Sequence, residues 1–242
     1  MREPDTKSDA LLRVSGLQGW YGDSHVLHGV DFSVRKGELA TLVGRNGAGK
    51  TTILRAIIGL LERREGSIVM SGRELIGLPP EQIAREGIGY CPEERGIFSA
   101  LSVEENLVLP PALKEGGMTV DEIYRLFPNL RERRRNSGAK LSGGEQQMLA
   151  IARIMRTGCE LLLLDEPTEG LAPVIVQQIE RVVRDLKQRG FTIVLVEQNL
   201  HFATSVSDHL LVVEHGQVIE SVSRAQMADP SVLERLQAYV GV

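Results

Sequence analysis

Residues Gly44-Arg45-Asn46-Gly47-Ala48-Gly49-Lys50-Thr51 follow the spacing G-x-x-x-x-G-K-[ST]. Three glycines let a loop curl with its N–H groups turned inward, and a helix starting behind it adds unsatisfied N–H donors and the positive end of its dipole. That is chemistry for a polyphosphate. Lys50 is placed to reach the β- and γ-phosphates, Thr51 to offer its hydroxyl to a magnesium ion, and Thr52 to follow on the same turn.

A second segment supplies carboxylates. Leu161-Leu162-Leu163-Leu164 runs straight into Asp165-Glu166. Four leucines fit an interior strand of a parallel sheet, which puts the acidic pair at its C-terminal end, where ligands bind in open α/β folds. Asp165 is then placed to hold magnesium opposite Thr51, and Glu166 to take a proton from an attacking water. A third segment, Leu141-Ser142-Gly143-Gly144-Glu145-Gln146-Gln147, has capping-box spacing between Ser142 and Glu145 and an apolar helix behind it. Taken alone it reads as an ordinary helix start, although it is also a second place where phosphate could dock on backbone N–H groups.

These segments need elements to position them. Glu38–Val43 reads as a short buried strand and Thr52–Ile58 opens a helix, which gives the strand–loop–helix context of a phosphate loop. Before it, Leu11–Leu17 and Val26–Val34 read as strands joined by a segment with Trp20, Tyr21 and Gly22. Either ring could stack on a base, or one sits in the core and the other on the surface. After it come a strand at Gly66–Ser71, a helix at Pro79–Arg85, a strand at Ile88–Cys91 and the polar loop Pro92-Glu93-Glu94-Arg95-Gly96. From a capped helix at Ser102 to Thr157 helical patterns dominate, an inserted helical lobe whose one basic cluster, Arg131–Arg135, reads as a solvated face. Leu171–Leu186 has helical spacing, Phe191–Val196 is a buried strand, His209–Glu214 and Gln217–Ser221 form a hairpin, and two short helices finish the chain. The fold class is α/β, with one domain over 1–242: a tail over 1–10, loose over Met1–Asp9, a catalytic core at about 11–98 and 158–242, and a helical subdomain at about 99–157.

Composition narrows the function further. The 42% hydrophobic and 25% charged residues are ordinary for a soluble globular protein, and the net charge of −4 gives no footprint for nucleic acid. No apolar run approaches the ~18 residues of a membrane span, the first residues lack the apolar core of a secretory signal, and Cys91 and Cys159 make no metal or disulfide pattern. A cytosolic location with reduced thiols follows. Thr6-Lys7-Ser8-Asp9 formally matches a guanine-specificity pattern, but its place in a polar tail upstream of the phosphate loop makes chance the better account.

The phosphate loop, LSGGEQQ and LLLLDE, in that order and spacing, resemble the nucleotide-binding subunits of ABC transporters from about Leu11 onward. The resemblance implies a P-loop NTPase fold with a mostly parallel core sheet, an N-terminal antiparallel β segment and an inserted helical subdomain. It implies ATP and Mg2+ as ligands, and two such domains facing head to tail, each ATP lying between one subunit's phosphate loop and the other's Ser142, Gly143 and Gly144. By position Tyr21 resembles the family's adenine-stacking aromatic, with Val26 beside it, Asp165 the magnesium-binding residue and Glu166 the general base. This chain departs from the pattern at three places: Glu93 stands for a Gln that binds metal and water, Gln198 for the switch His, and Ala172 for an Asp.

CPEERGIF, LDEPTEGLAP and LVEQN are similar to the importer ATPases for branched-chain amino acids, particularly the F-type subunit, with urea and short-amide importers close by. The resemblance therefore implies a paralogous second ATPase subunit, integral membrane permease subunits, a periplasmic substrate-binding protein, and a peripheral position on the cytoplasmic face of the inner membrane, with the isolated subunit soluble. A soluble ABC-type ATPase acting on ribosomes or DNA fits less well, since the chain has one phosphate loop and no heptad run. A kinase or GTPase fits less well still.

Overall fold

A computed structural model describes residues 10–241 of the chain. The tail expected over Met1–Asp9, with its Thr-Lys-Ser-Asp run, lies outside the described residues.

Two sheets organise the molecule. The strands β1 (Ala10–Tyr21), β2 (Ser24–Arg35), β4 (Arg63–Met70) and β5 (Arg73–Glu74) form an antiparallel sheet in the order β2-β1-β4-β5. The strands β3 (Leu39–Val43), β6 (Ile88–Cys91), β7 (Leu161–Asp165), β8 (Thr192–Glu197), β9 (His209–Glu214) and β10 (Gln217–Ser223) form the second sheet in the order β10-β9-β3-β8-β7-β6. Only the β9–β10 hairpin in it is antiparallel. The C-terminal ends of β3, β6, β7, β8 and β9 therefore share one edge, and that edge carries the phosphate loop, Glu93, the Asp165–Glu166 pair and Gln198.

Strand periodicity divides the core. Leu162 and Leu164 of β7 join Ile193 and Leu195 of β8 on one face, while Leu161 and Leu163 join Val194 and Val196 on the other. The first face is covered by α3 (Val103–Val108), α4 (Val120–Leu126), α5 (Pro128–Glu132), α6 (Gly143–Met155), α7 (Pro173–Gln188) and α8 (Leu200–Val206). Its apolar cluster runs without a break from Phe127 and Leu130 of the helical lobe to the sheet residues Leu162 and Ile193. The second face is covered by α1 (Lys50–Ile57), α2 (Pro80–Arg85) and the antiparallel sheet. The final helix α9 (Pro230–Val240) packs with Met227 and Val222 against Val43 and Val212.

Several elements differ from the expectations. β1 extends through Trp20 and Tyr21, so the β1–β2 connection shrinks to Gly22-Asp23. Trp20 lies under the Arg63 guanidinium at 4.2 Å and stacks on His25 at 4.4 Å, contacts across the sheet that favour continuing the strand. The strand after α1 belongs to the antiparallel sheet, so that layer is built from segments on both sides of the phosphate loop. Helix α8 has no counterpart in the sequence reading: it is a seven-residue helix capped by the Asn199 side chain, which accepts from the Phe202 N–H at 3.1 Å. Of the two closing helices, one is a single 3-10 turn at Gln226–Ala228.

Candidate active site

The phosphate loop leaves β3 at Gly44, whose backbone lies so close to β9 that a Cβ there would sit 2.3 Å from the Val213 carbonyl oxygen. The Gly216 N–H donates to the Ala48 carbonyl at 2.8 Å and the His28 N–H to the Gly216 carbonyl at 2.9 Å, tying the loop to the β9–β10 turn and to β2. Lys50 is 4% exposed; its Nζ donates to the Gly44 carbonyl at 2.9 Å and the Arg45 carbonyl at 3.1 Å, and lies 3.5 Å from Glu166 Oε1. The ammonium is thus folded back under the loop, its position set by two carbonyl dipoles and one carboxylate.

The carboxylates reach the loop from β7. Thr51 Oγ1 donates to Asp165 Oδ1 at 2.9 Å, and the Tyr90 hydroxyl donates to Asp165 Oδ2 at 2.9 Å. Burial pushes the Asp165 carboxyl above its ordinary range, opposed by those two hydrogen bonds. Burial and the Asp165 charge hold the Tyr90 phenol protonated, so it remains a donor. Glu166 adopts φ +45°, a left-handed conformation that costs a non-glycine residue about 1–3 kcal/mol and is concentrated at functional sites. Its Oε2 accepts from Gln198 Nε2 at 2.8 Å.

A cavity of about 540 Å³ opens over these groups. Of the residues singled out in the sequence, Val26, Asn46, Gly47, Gly49, Lys50, Thr51, Thr52, Glu93 and Glu166 line it. Arg45 turns its guanidinium toward the Ala238 carbonyl of α9, and the Gly44 carbonyl holds Lys50 from below. Ala48 is buried in the loop, and Asp165 lies beneath the cavity, 1% exposed. Gln198 reaches the site through Glu166 and lines an adjoining hollow of about 470 Å³. Tyr21 is 42% exposed and stands outside the lining, because it ends β1 at the tip of the antiparallel sheet.

The lining also includes His28, Glu169, His215 and Gly216. His28 lay unseen inside a strand pattern and His215-Gly216 inside a hairpin turn; only the parallel register of β9 beside β3 brings that turn to the loop. Glu169 follows the acidic pair, and its carboxyl is raised by a hydrogen bond shared with Glu166 and by partial burial.

Ser142, Gly143 and Gly144 do not line this cavity. The Ser142 side chain accepts from the Glu145 N–H while Glu145 Oε2 accepts from the Ser142 N–H and hydroxyl, so the capping box expected from the sequence is complete. Gly144 is buried against α7, where a Cβ would meet Ile175 Cγ2 at 2.5 Å. Ser142 remains exposed and Gly143 half-buried.

The ABC transporter family model matches residues 27–169, more than half of the chain. The chain belongs to the ABC transporter family. The matched region of this ABC ATPase includes the phosphate loop, Ser142–Gly144 and the Asp165–Glu166 pair. It is 41% identical over 235 residues to a high-affinity branched-chain amino acid transport ATP-binding protein, BraG of Pseudomonas aeruginosa, covering 96% of this chain and 100% of that protein. It is 34% identical to a probable branched-chain amino acid transport ATP-binding protein, LivF of Archaeoglobus fulgidus, covering 93% of this chain and 98% of the other. Among solved structures, an ATP-binding subunit of an ABC transporter superposes with a TM-score of 0.79 at 30% identity, covering 96% of this chain and all of that one.

Proposed function

We propose that this ABC ATPase hydrolyses ATP at Lys50, Asp165 and Glu166 in a site completed by a second, paralogous ATPase subunit, and thereby energises uptake of branched-chain amino acids. The observation that carries it is the convergence of three groups on one open cavity: the buried Lys50 ammonium, the Thr51–Asp165 pair and the Glu166 carboxylate. The transported class is supported by the BraG and LivF relatives and by the CPEERGIF, LDEPTEGLAP and LVEQN segments.

The Thr51 hydroxyl and the Asp165 carboxylate form a pair of hard oxygens 2.9 Å apart at the cavity floor, with the Glu93 carboxylate on the wall. Among the described residues there is no cluster of three or more metal-ligating side chains. Few protein oxygens beside a phosphate loop fit Mg2+, which keeps most of its shell as water and phosphate. When bound there, magnesium neutralises charge on the phosphates. The remaining work falls to the chain's own groups. Lys50 swings from the Glu166 carboxylate to the phosphates, freeing Glu166 to accept a proton from the water attacking the γ-phosphorus in line. Gln198 donates to Glu166 Oε2 and so orients the other oxygen. It has no titrating proton to contribute, unlike a histidine.

The cavity over Lys50, Thr51 and Glu166 is open to solvent, and Ser142 at the start of α6 is exposed outside it, which supports completion of the site by the Ser142–Gly143 helix start of another subunit. We place the assembly on the cytoplasmic face of the inner membrane, beneath permease subunits fed by a periplasmic binding protein. No helix among the described residues is long and apolar enough to cross a membrane. Glu166→Gln tests the central assignment: turnover is expected to fall about a hundredfold or more, in the range of a lost general base, while ATP still binds. A variant retaining most of its activity would overturn it.

A further inference from the structure

One buried acid in the neighbourhood has no part in the scheme above. Glu197 closes β8 and is 2% exposed. Its Oε1 accepts from the Thr168 hydroxyl at 2.8 Å and the Thr168 N–H at 3.2 Å, and its Oε2 from the Asn199 N–H at 3.3 Å. Burial pushes the carboxyl up to about 7, against the pull of those three donors. An acid retained at that cost invites a functional account.

The positions of its partners supply one. Thr168 lies two residues after Glu166, and Asn199 one residue after Gln198. The single carboxylate therefore spans the two segments whose side chains meet in the Gln198 Nε2–Glu166 Oε2 hydrogen bond of 2.8 Å. On the strand side the same spacing is set by the Glu166 N–H donating to the Val196 carbonyl at 3.0 Å. The two loops are thus pinned on both sides of the Gln198–Glu166 contact. A shorter acceptor would reach one loop and not the other, and an apolar residue would leave the two buried Thr168 donors and the partly buried Asn199 N–H unmatched.

We infer that Glu197 is a positioning residue of the ATPase reaction, fixing the loop after β7 to the loop after β8 so that Gln198 holds the Glu166 carboxylate in its working orientation. This rests on the reading of Glu166 as the acceptor of the water proton. It gives a role to a residue that does not line the phosphate-loop cavity, and it makes Thr168 part of the same device.

The test is a double-mutant cycle on the full chain, reading kcat for ATP hydrolysis and, separately, ATP affinity. Glu197→Ala is expected to lower kcat about tenfold or more with ATP affinity changed less than about threefold, and Thr168→Val to lower it less, in the same direction. Glu197→Gln, whose amide oxygen can still accept from Thr168 but whose NH2 cannot accept from the Asn199 N–H, is expected to lower kcat by less than Glu197→Ala and in the same direction. In a Gln198→Ala background neither Glu197→Ala nor Thr168→Val should lower kcat by more than about twofold further, because the contact they protect is already gone. Full additivity in that background, unchanged turnover in Glu197→Ala, or unchanged turnover in Gln198→Ala would each overturn the inference. Should Glu197→Ala not fold, the Thr168→Val cycle decides by the same criteria. Retained activity in Glu166→Gln would sink the parent reading instead; loss there with an additive cycle sinks only this one.

Discussion

The helices α1 and α6 both begin beside glycines, yet their first turns are built for opposite purposes. At α1 the residue before the helix, Gly49, is left-handed at φ +109°, with no side chain capping the turn and no acidic residue in it. Its free N–H donors and the Lys50 side chain face a cavity. At α6 Ser142 and Glu145 cap each other in a complete box, an acid sits in the first turn, and Gly144 is a packing residue against Ile175. A glycine-led helix start is therefore not one kind of site. The first opens onto the cavity, and the second is satisfied within its own chain and offers only Ser142 and Gly143 outward.

Three substitutions sharpen that contrast, in decreasing order of effect. Lys50→Ala removes the one buried ammonium at the α1 start and is expected to weaken ATP binding about a hundredfold, the scale of charge-assisted hydrogen bonds to phosphate, as read by equilibrium titration. Gly144→Ala drives a methyl group into Ile175 and is expected to cost about 1–3 kcal/mol in urea unfolding, with partial recovery in a Gly144→Ala/Ile175→Ala double variant. Recovery would show that Gly144 serves packing between α6 and α7; its absence would contradict that role. The third effect is a slope. Because the Glu197 carboxyl is raised to about 7 in the folded chain from its ordinary value of 4.5, the folded state binds more protons than the unfolded one between those values. Its contribution to stability is therefore present at the acid end of that window and lost as pH rises through it. Glu197→Gln is expected to flatten the pH dependence of stability between about pH 4.5 and 7 relative to the parent, measured by urea unfolding at fixed pH values.

Local chemistry explains what could be read from the chain itself. The phosphate loop, the four leucines before Asp165 and the Ser142 capping box are contiguous in sequence, and each appears where expected. The long-range partners were invisible. Tyr90 bonds Asp165 only because β6 lies beside β7 in parallel register, and Gln198 reaches Glu166 because β8 flanks the other side. His28 and His215 join the cavity through sheet pairing that no spacing rule encodes. Helix α8 escaped notice because it is short and its signal is a single Asn cap. The extension of β1 through Trp20 and Tyr21 depends on a ring stack and a cation–π contact from another strand.

Equilibrium titration of the isolated Ser142→Arg chain with ATP and magnesium tests the contrast between the two helix starts most directly, because it asks which of them the chain uses for its own nucleotide. The expected result is an affinity within about twofold of the parent, since the α1 cavity is untouched. A tenfold or greater loss of affinity in that variant would contradict the account, placing the α6 start in the chain's own binding site.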